Sequence, residues 1–162
     1  MELLVIRHAL AVERSPELPD TERPLTDRGR RRFRQVARGL RELGLRVDVV
    51  LSSPWRRAHE TALLLEKLVV DRRAPVLSPL LAGPPKAELL SSIAGAGVRR
   101  LAVVGHEPWL GELIAMLVAG ESRHGKVFPL KKGAVAMLDG EVAPGGMVVR
   151  GLLPPRVLRA LA

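Results

Sequence analysis

Hydrophobic positions form two kinds of pattern along the chain. Continuous apolar runs at residues 2–7, 47–51 and 101–104 are short and rich in branched side chains, which is typical of buried parallel strands. Between the first two runs, apolar residues recur every three or four positions, which indicates an amphipathic helix. This helix is expected to begin after Thr26, a good N-cap residue, and to end near Gly44.

The alternation of strand and helix continues to the end of the chain. Further elements are predicted as helices at 55–68, 86–94 and 109–118, a short edge strand within 75–81, antiparallel strands at 133–138 and 145–153, and a C-terminal helix after 155. This order predicts an α/β fold, a three-layer α/β/α sandwich with a mostly parallel central sheet. No linker or internal repeat interrupts the pattern, so residues 1–162 are expected to form a single domain.

The amino-acid composition restricts the possible functions of the chain more than its possible folds. Apolar residues make up 47% of the chain and aromatic residues only 2%, so the core must consist of Leu, Val, Ala and Ile. The absence of Cys excludes a disulfide framework, an iron–sulfur cluster and a thiolate zinc site. The N-terminus does not resemble a secretory signal, and no run of about 18 apolar residues occurs. A cytoplasmic protein without membrane contact is therefore expected.

Positive charge is high and unevenly distributed. The formal net charge of +9 would attract nucleic acid, anionic lipid or phosphorylated substrates without choosing among them. The richest segment, RGRRRFRQVARGLR at 28–41, lacks aromatic stacking groups, and no nucleic-acid-binding module surrounds it. A solvated helix face is favoured for this segment, nucleic acid is not expected as a partner, and docking of an acidic protein substrate is a third option.

Reactive side chains follow each of the three buried runs. They are Arg7 and His8 after the first, Ser52, Ser53 and Arg57 after the second, and His106 and Glu107 after the third. In open parallel sheets, ligands bind beyond the carboxyl ends of the strands, where loops from several strands converge. Two imidazoles and two guanidiniums that are remote in sequence are therefore expected to meet at one site.

This combination of side chains suits phosphoryl transfer. Guanidinium groups match the geometry of phosphate oxygens, and fixed positive donors stabilise the charge on a transferring phosphoryl group. One neutral imidazole is then free to attack phosphorus as a covalent nucleophile. The predicted site needs neither metal nor cofactor. A zinc site is not expected at His106 and Glu107, because the second His of H-E-x-x-H is missing and Pro108 interrupts the helix.

Four segments, LVIRHA, RPLTDRG, SSPWRRAHETA and VVGHEP, resemble in order the motif blocks of the histidine phosphatase superfamily, which has the phosphoglycerate-mutase-like fold. DTERPLT and SPWRRAHET are similar to its SixA-type phosphohistidine phosphatase branch. The resemblance implies that His8 becomes phosphorylated and that Arg7, Arg57 and His106 complete the phosphate pocket. Arg23, in the second block, is a candidate substrate-binding residue or a structural residue that ties its loop over the site.

The sequence departs from the family pattern at two places. The usual triplet RHG is RHA here, with Ala9 in the third position. The region where larger members carry a Glu that protonates the leaving group offers only Glu88, on a predicted helix. An imidazole bonded to phosphorus is a good leaving group once its ring is protonated, whereas an alkoxide leaving group needs a positioned acid. The missing acid therefore favours phosphohistidine over sugar phosphates.

Several alternatives remain open at this stage. Arg7 and His8 could form an ion pair with Glu13 or Asp20, and Ser52 and Ser53 could cap a helix. Trp55 and Trp109 could line either the site or the core. His59 and His124 are expected to be exposed. For function, the expected substrate is a phosphohistidine protein or a small phosphorylated molecule. The alternatives are a phosphatase of small monoesters and a basic, non-catalytic binding module. A monomer or weak dimer is expected.

Overall fold

A computed structural model describes residues 1–162, in which six strands and five α-helices alternate. The strands are Glu2–Arg7 (β1), Val49–Ser52 (β2), Val76–Leu77 (β3), Arg100–Gly105 (β4), Val135–Gly140 (β5) and Met147–Leu153 (β6). The α-helices are Asp27–Glu42 (α1), Arg56–Leu63 (α2), Ala87–Ala94 (α3), Trp109–Ala119 (α4) and Pro155–Ala160 (α5). Short 3₁₀ helices lie at Asp20–Glu22, Glu66–Leu68, Pro79–Ala82 and Ser122–Val127.

The six strands form one sheet in the order β3-β2-β4-β1-β5-β6. The first four are parallel to one another, and β5 runs antiparallel to both β1 and β6. The prediction of a mostly parallel sheet with an antiparallel pair near the C-terminus is confirmed. Because Arg7 pairs with Gly105 and Ser52 with Val104, the carboxyl ends of β1, β2 and β4 lie at one edge of the sheet.

Both faces of the sheet are covered, which makes three layers. Leu4 and Ile6 of β1 belong to a core cluster of 20 buried residues that includes the apolar stripe of α1. Leu3 and Val5 point the opposite way, into a cluster of 18 that includes the buried face of α4. This alternation follows from the two-residue period of a strand. None of the helices combines the length and the apolar character that a membrane-spanning segment requires.

Two predicted boundaries differ from the structure, and one short helix was not predicted. The helix predicted over 55–68 stops at Leu63 and continues as a 3₁₀ turn, since the Leu64 and Leu65 amides bond to carbonyls three residues back. β2 begins at Val49, two residues later than predicted. The 3₁₀ helix Ser122–Val127 was not anticipated. By contrast, the Thr26 cap is confirmed, because its hydroxyl accepts from the Gly29 amide at 2.9 Å.

Helix α5 lies directly on α1 at Gly39. A Cβ at that position would lie 1.9 Å from the carbonyl oxygen of Leu158, so no side chain fits without separating the helices. We expect Gly39→Ala to lower the free energy of unfolding by at least about 2 kcal/mol, which lowers the Tm by roughly 4–8 °C. Gly83→Ala is the matched control, because a Cβ there has no atom within 4 Å. Equal Tm values for the two variants in thermal unfolding would contradict the close packing.

Candidate active site

The ends of β1 and β4 bring His8 and His106 together. The His8 amide donates to the Gly105 carbonyl at 3.1 Å, which continues the strand pairing by one residue. The ring centroids of His8 and His106 lie 5.2 Å apart, and both residues are buried, at 5% and 3% exposure. The two rings are therefore close enough for one phosphoryl group to contact both.

Contacts around the His8 ring select one tautomer. Nδ1 lies 2.7 Å from the backbone carbonyl oxygen of Ala9, which can only accept, so Nδ1 carries the proton. Nε2 is left with its lone pair and accepts a hydrogen bond from Nε of Arg57 at 3.2 Å. The nitrogen with nucleophilic capacity is therefore Nε2, and a guanidinium lies beside it.

His106 is fixed through Ser53. Its Nε2 lies 2.8 Å from the Ser53 hydroxyl, and that hydroxyl also accepts from the Trp55 amide at 3.3 Å. The hydroxyl hydrogen is therefore free to donate to Nε2, and in a neutral ring this places the proton on Nδ1. His106 then presents an N–H donor on the side of the ring away from Ser53.

Arg57 is held by the loop that precedes α1. Its Nη1 donates to the Asp20 carbonyl and its Nη2 to the Asp20 carboxylate at 3.1 Å. The same carboxylate accepts from Arg23 at 2.8 Å and from Arg14 at 2.9 Å. Asp20 thus connects three guanidiniums and fastens the loop across the site. The proposed ion pair of Asp20 with Arg7 or His8 is wrong, because Asp20 pairs with Arg57, Arg23 and Arg14 instead.

Arg7 is positioned from the other side, by the segment that leads into β5. Its Nη1 donates to the Leu130 carbonyl at 2.6 Å, and the Leu130 amide donates to the Glu107 carboxylate at 2.7 Å. Gly133 joins the same segment to β1, since its amide donates to the carbonyls of Arg7 and His8 at 3.1 Å each. Glu107 therefore acts on the arginine through the backbone of Leu130.

Two buried side-chain nitrogens have no hydrogen-bond partner in the protein: Arg7 Nε and His106 Nδ1. Leaving a buried donor unsatisfied costs about 1–3 kcal/mol, and more when the group is charged. No other buried side-chain nitrogen or oxygen is unsatisfied, and both of these belong to the predicted site. These two donors are therefore the candidates to hold an anion in the site.

Two tryptophans form one wall of the site. The Trp55 ring lies 4.5 Å from the His106 ring and under the Arg57 guanidinium, 4.7 Å away. Trp109 packs edge-on against Trp55 and His106 at 5.7 and 6.0 Å. The sequence left open whether Trp55 and Trp109 line the site or the core. Because both indoles are half-buried and contact His106, the structure favours a position at the site. Aromatic surface next to the imidazoles lowers the local polarity and strengthens electrostatic interactions there.

Burial and positive charge keep both imidazoles neutral. Burial lowers the pKa of His8 to about 3, and although the Ala9 hydrogen bond opposes the shift, the Arg57 and Arg7 charges add to it. Burial, together with His8 and Arg57, lowers the pKa of His106 to about 3. Burial also lowers the pKa of Arg7 and Arg57, opposed by Glu107 and Asp20 respectively. The arginines stay charged at any working pH, so the site is cationic although its rings are neutral.

The remaining predicted residues lie outside this inner set. Arg23 is buried, but it donates to Asp20 and to the Val12 carbonyl, which is the structural role considered for it. The prediction that the serines cap a helix is wrong, because α2 has no side-chain cap and Ser53 contacts His106. Glu88 is exposed on α3. His124 is exposed, whereas His59 is half-buried rather than exposed.

Thr61 was not identified from the sequence. Its hydroxyl accepts from the Ala9 amide at 3.0 Å and donates to the Arg57 carbonyl at 2.6 Å, so it ties α2 to the residue that orients His8. The T that ends the SPWRRAHET pattern, which the sequence shares with the family, was the available signal. Lys132 was also missed. It is exposed, yet its charge contributes to lowering the pKa of His8, which places it near the site.

We expect Thr61→Val to reduce kcat/KM for a phosphorylated substrate by roughly 10–100-fold, because the Ala9 segment that orients His8 loses its anchor. Val keeps the shape but leaves the buried Ala9 amide without an acceptor, which costs about 1–3 kcal/mol of stability. Thr61→Ser keeps the hydroxyl and is expected to stay near the unmodified rate. Steady-state kinetics and the Tm of both variants test this, and equal rates for Val and Ser would exclude the positioning role.

Comparisons with known proteins give one family. The family model described as histidine phosphatase superfamily (branch 1) matches residues 3–74. An uncharacterized protein of Picosynechococcus sp. is 34% identical over 130 residues, which cover 76% of this chain and 77% of that protein.

Two solved structures illustrate the structural similarity. The protein histidine phosphatase SixA complexed with tungstate has 25% identity and a TM-score of 0.81, with 98% of this chain and 99% of that chain covered. A putative alpha-ribazole-5'-P phosphatase from Escherichia coli K-12 has 21% identity and a TM-score of 0.75, with 96% of this chain and 98% of that chain covered. At 21% identity, the second match is evidence of a shared fold alone.

Proposed function

Because the chain belongs to the histidine phosphatase superfamily, and is a phosphatase, we propose that it hydrolyses phosphohistidine in proteins, with His8 as the nucleophile. The observation that carries this proposal is the pair of unsatisfied donors, Arg7 Nε and His106 Nδ1, in the same site as the unprotonated Nε2 of His8, which accepts a hydrogen bond from Arg57. In this proposal the phosphoryl oxygens accept from these two donors, and the phosphorus is attacked by Nε2 of His8.

The first step transfers the phosphoryl group to His8. The Nε2 lone pair forms a bond to phosphorus while the bond between phosphorus and the leaving nitrogen of the substrate breaks. The leaving imidazole keeps the bonding electrons and takes a proton from solvent. His8 needs no base to activate it, because its lowered pKa keeps the ring neutral and the Ala9 carbonyl holds the proton on Nδ1.

The second step hydrolyses the phosphorylated histidine. A water oxygen bonds to phosphorus as the bond to Nε2 breaks, inorganic phosphate leaves and the water proton passes to solvent. Throughout both steps, Arg7, Arg57 and His106 donate to the phosphoryl oxygens. Removing one such donor typically costs 10²–10³-fold in rate, about 3–4 kcal/mol, in sites of this kind.

Carboxylates near the site support a labile phosphoryl donor. Burial alone would raise the pKa of Asp20, but the Arg14 hydrogen bond and the charges of Arg57 and Arg23 outweigh it and lower that pKa. A carboxyl group held ionised cannot protonate a leaving group. The Glu107 oxygens already accept from two backbone amides. A substrate whose leaving group needs little acid help fits this arrangement, and phosphohistidine is such a substrate.

The test is a comparison of leaving groups. We expect kcat/KM for a phosphohistidine peptide and for p-nitrophenyl phosphate to exceed kcat/KM for sugar, serine and nucleotide monophosphates by at least about 10²-fold, the usual contribution of a positioned acid. Phenyl phosphate is the matched control for p-nitrophenyl phosphate, since it differs only in a poorer leaving group. Equal efficiency for alkyl phosphates and phosphohistidine would favour the alternative, a phosphatase of small monoesters.

A further inference from the structure

A groove of about 490 Å³ adjoins the active site at the same edge of the sheet. It lies between α1, α5, the end of β6 and the segment 129–134. Ala9 and Leu130, whose carbonyls hold His8 and Arg7, also line the groove, as does Lys132. The groove is thus continuous with the structure that orients the nucleophile, although neither His8 nor the three proposed phosphate donors line it.

The groove has an apolar floor and a basic border. Eight of its 18 lining residues are hydrophobic. Five others are cations, Arg32, Lys131, Lys132, Arg156 and Arg159, and no Asp or Glu lines it. An apolar groove that is bordered by positive charge attracts negatively charged ligands.

The five cations have no partner in the protein. None of them forms a salt bridge, whereas the active-site arginine Arg57 and the half-buried Arg30 and Arg100 are each paired with a carboxylate. Charge on Arg28, followed by burial and the charge on Arg159, lowers the pKa of Arg32. Cations that repel one another around an apolar groove gain most when an anionic partner binds.

We propose that this groove binds an acidic, partly apolar segment of the protein substrate and so presents the phosphohistidine to His8. This inference rests on the proposed function, because it assigns the docking surface for that reaction. Single-stranded nucleic acid fits less well, since it binds by stacking on aromatic faces. Phe33, the single aromatic side chain in the groove, is 1% exposed and offers no such face.

The experiment compares two charge reversals on the same protein. R32E/R156E changes two cations of the groove. R34E/R41E is the matched control, with an equal charge change at two unpaired arginines on another face of α1. Substrates are a phosphohistidine peptide with Glu-rich flanks, the same peptide with Gln-rich flanks, and free phosphohistidine. Unphosphorylated Glu-rich peptide serves as a binding probe by fluorescence anisotropy.

The unmodified protein and R34E/R41E are expected to prefer Glu-rich over Gln-rich flanks by about tenfold in kcat/KM at low salt, and R32E/R156E to lose that preference. R32E/R156E is also expected to bind the unphosphorylated probe at least about tenfold more weakly. No flank preference, or an equal loss for free phosphohistidine in R32E/R156E, would overturn the docking assignment.

The binding probe separates this inference from the catalytic one. If no phosphohistidine substrate is hydrolysed but the Glu-rich probe binds the groove, the proposed function fails and the docking surface stands. If hydrolysis proceeds but the probe binds all variants equally, the docking surface fails alone. Tighter binding of a single-stranded RNA of equal charge, lost in R32E/R156E, would assign the groove to nucleic acid and overturn the proposal.

Discussion

Replacing His8 with alanine is expected to lower kcat/KM for every phosphorylated substrate by at least about 10⁴-fold. Alanine has no lone pair to attack phosphorus, and the neighbouring His106 has its Nε2 occupied by Ser53. The donors Arg7 and Arg57 would remain and still bind the phosphoryl group. The variant should therefore lose kcat far more than substrate affinity, which steady-state and equilibrium binding measurements resolve.

The same variant tests the intermediate directly. Acid-unstable label from a ³²P-phosphorylated substrate is expected on the unmodified protein after rapid denaturation in alkali, and none on His8→Ala. His124→Ala is the control, because the His124 ring is exposed and contacts Arg123 and Glu121, which are not among the proposed site residues. Unchanged turnover in His8→Ala would show that His8 is not the nucleophile. Absence of turnover in both proteins would instead support the basic, non-catalytic binding module.

Stability is expected to fall steeply as the pH drops below about 6.5, the ordinary pKa of histidine. His8 and His106 have pKa values of about 3 in the folded protein, so both rings are neutral there. In the unfolded chain each ring takes up a proton below its ordinary pKa. Because the unfolded state then binds more protons, the free energy of unfolding decreases by up to about 1.4 kcal/mol per pH unit for each ring, or about 2.8 kcal/mol per pH unit for both.

Urea unfolding at pH 8, 7, 6 and 5 measures this effect. Little change is expected between pH 8 and 7, and a decrease approaching two protons per molecule between pH 6 and 5. His106→Gln removes one titrating ring, keeps an acceptor for Ser53, and is expected to halve the slope. Since the two rings lie 5.2 Å apart, their protonation is coupled and the slope reports the pair. A flat profile from pH 8 to 5 would show that the rings are not buried neutral.

Strands were easier to predict than helix ends. The segments around 2–7 and 101–104 are covered on both faces, so their apolar character is continuous and unambiguous. The end of α2 depends on Leu65 and Leu68, which are buried by turning into the core in a 3₁₀ conformation and not by helical periodicity. The 3₁₀ helix at Ser122–Val127 is mostly polar and exposed, so no hydrophobic period marks it.

The positions of the active-site side chains followed from the order of the strands, but their connections did not. Arg7, His8 and His106 are adjacent to strand ends, which the sheet topology brings to one edge. The tautomer of His8 depends on a single backbone carbonyl, and the pairing of Asp20 with Arg57 depends on how a long irregular loop crosses α2. Neither of these contacts produces a periodic pattern of residues in the sequence.

The position of β1 in the middle of the sheet also affects how fast the sheet can form during folding. β1 lies between β4 and β5, whose residues follow it by about 100 or more positions along the chain. Until β4 and β5 reach it, its apolar residues have no partner strand, and closing so long a loop slows folding. Fragments that end before β4 lack His106 and cannot form the proposed active site, and incomplete chains of that length are the ones that need protection from aggregation.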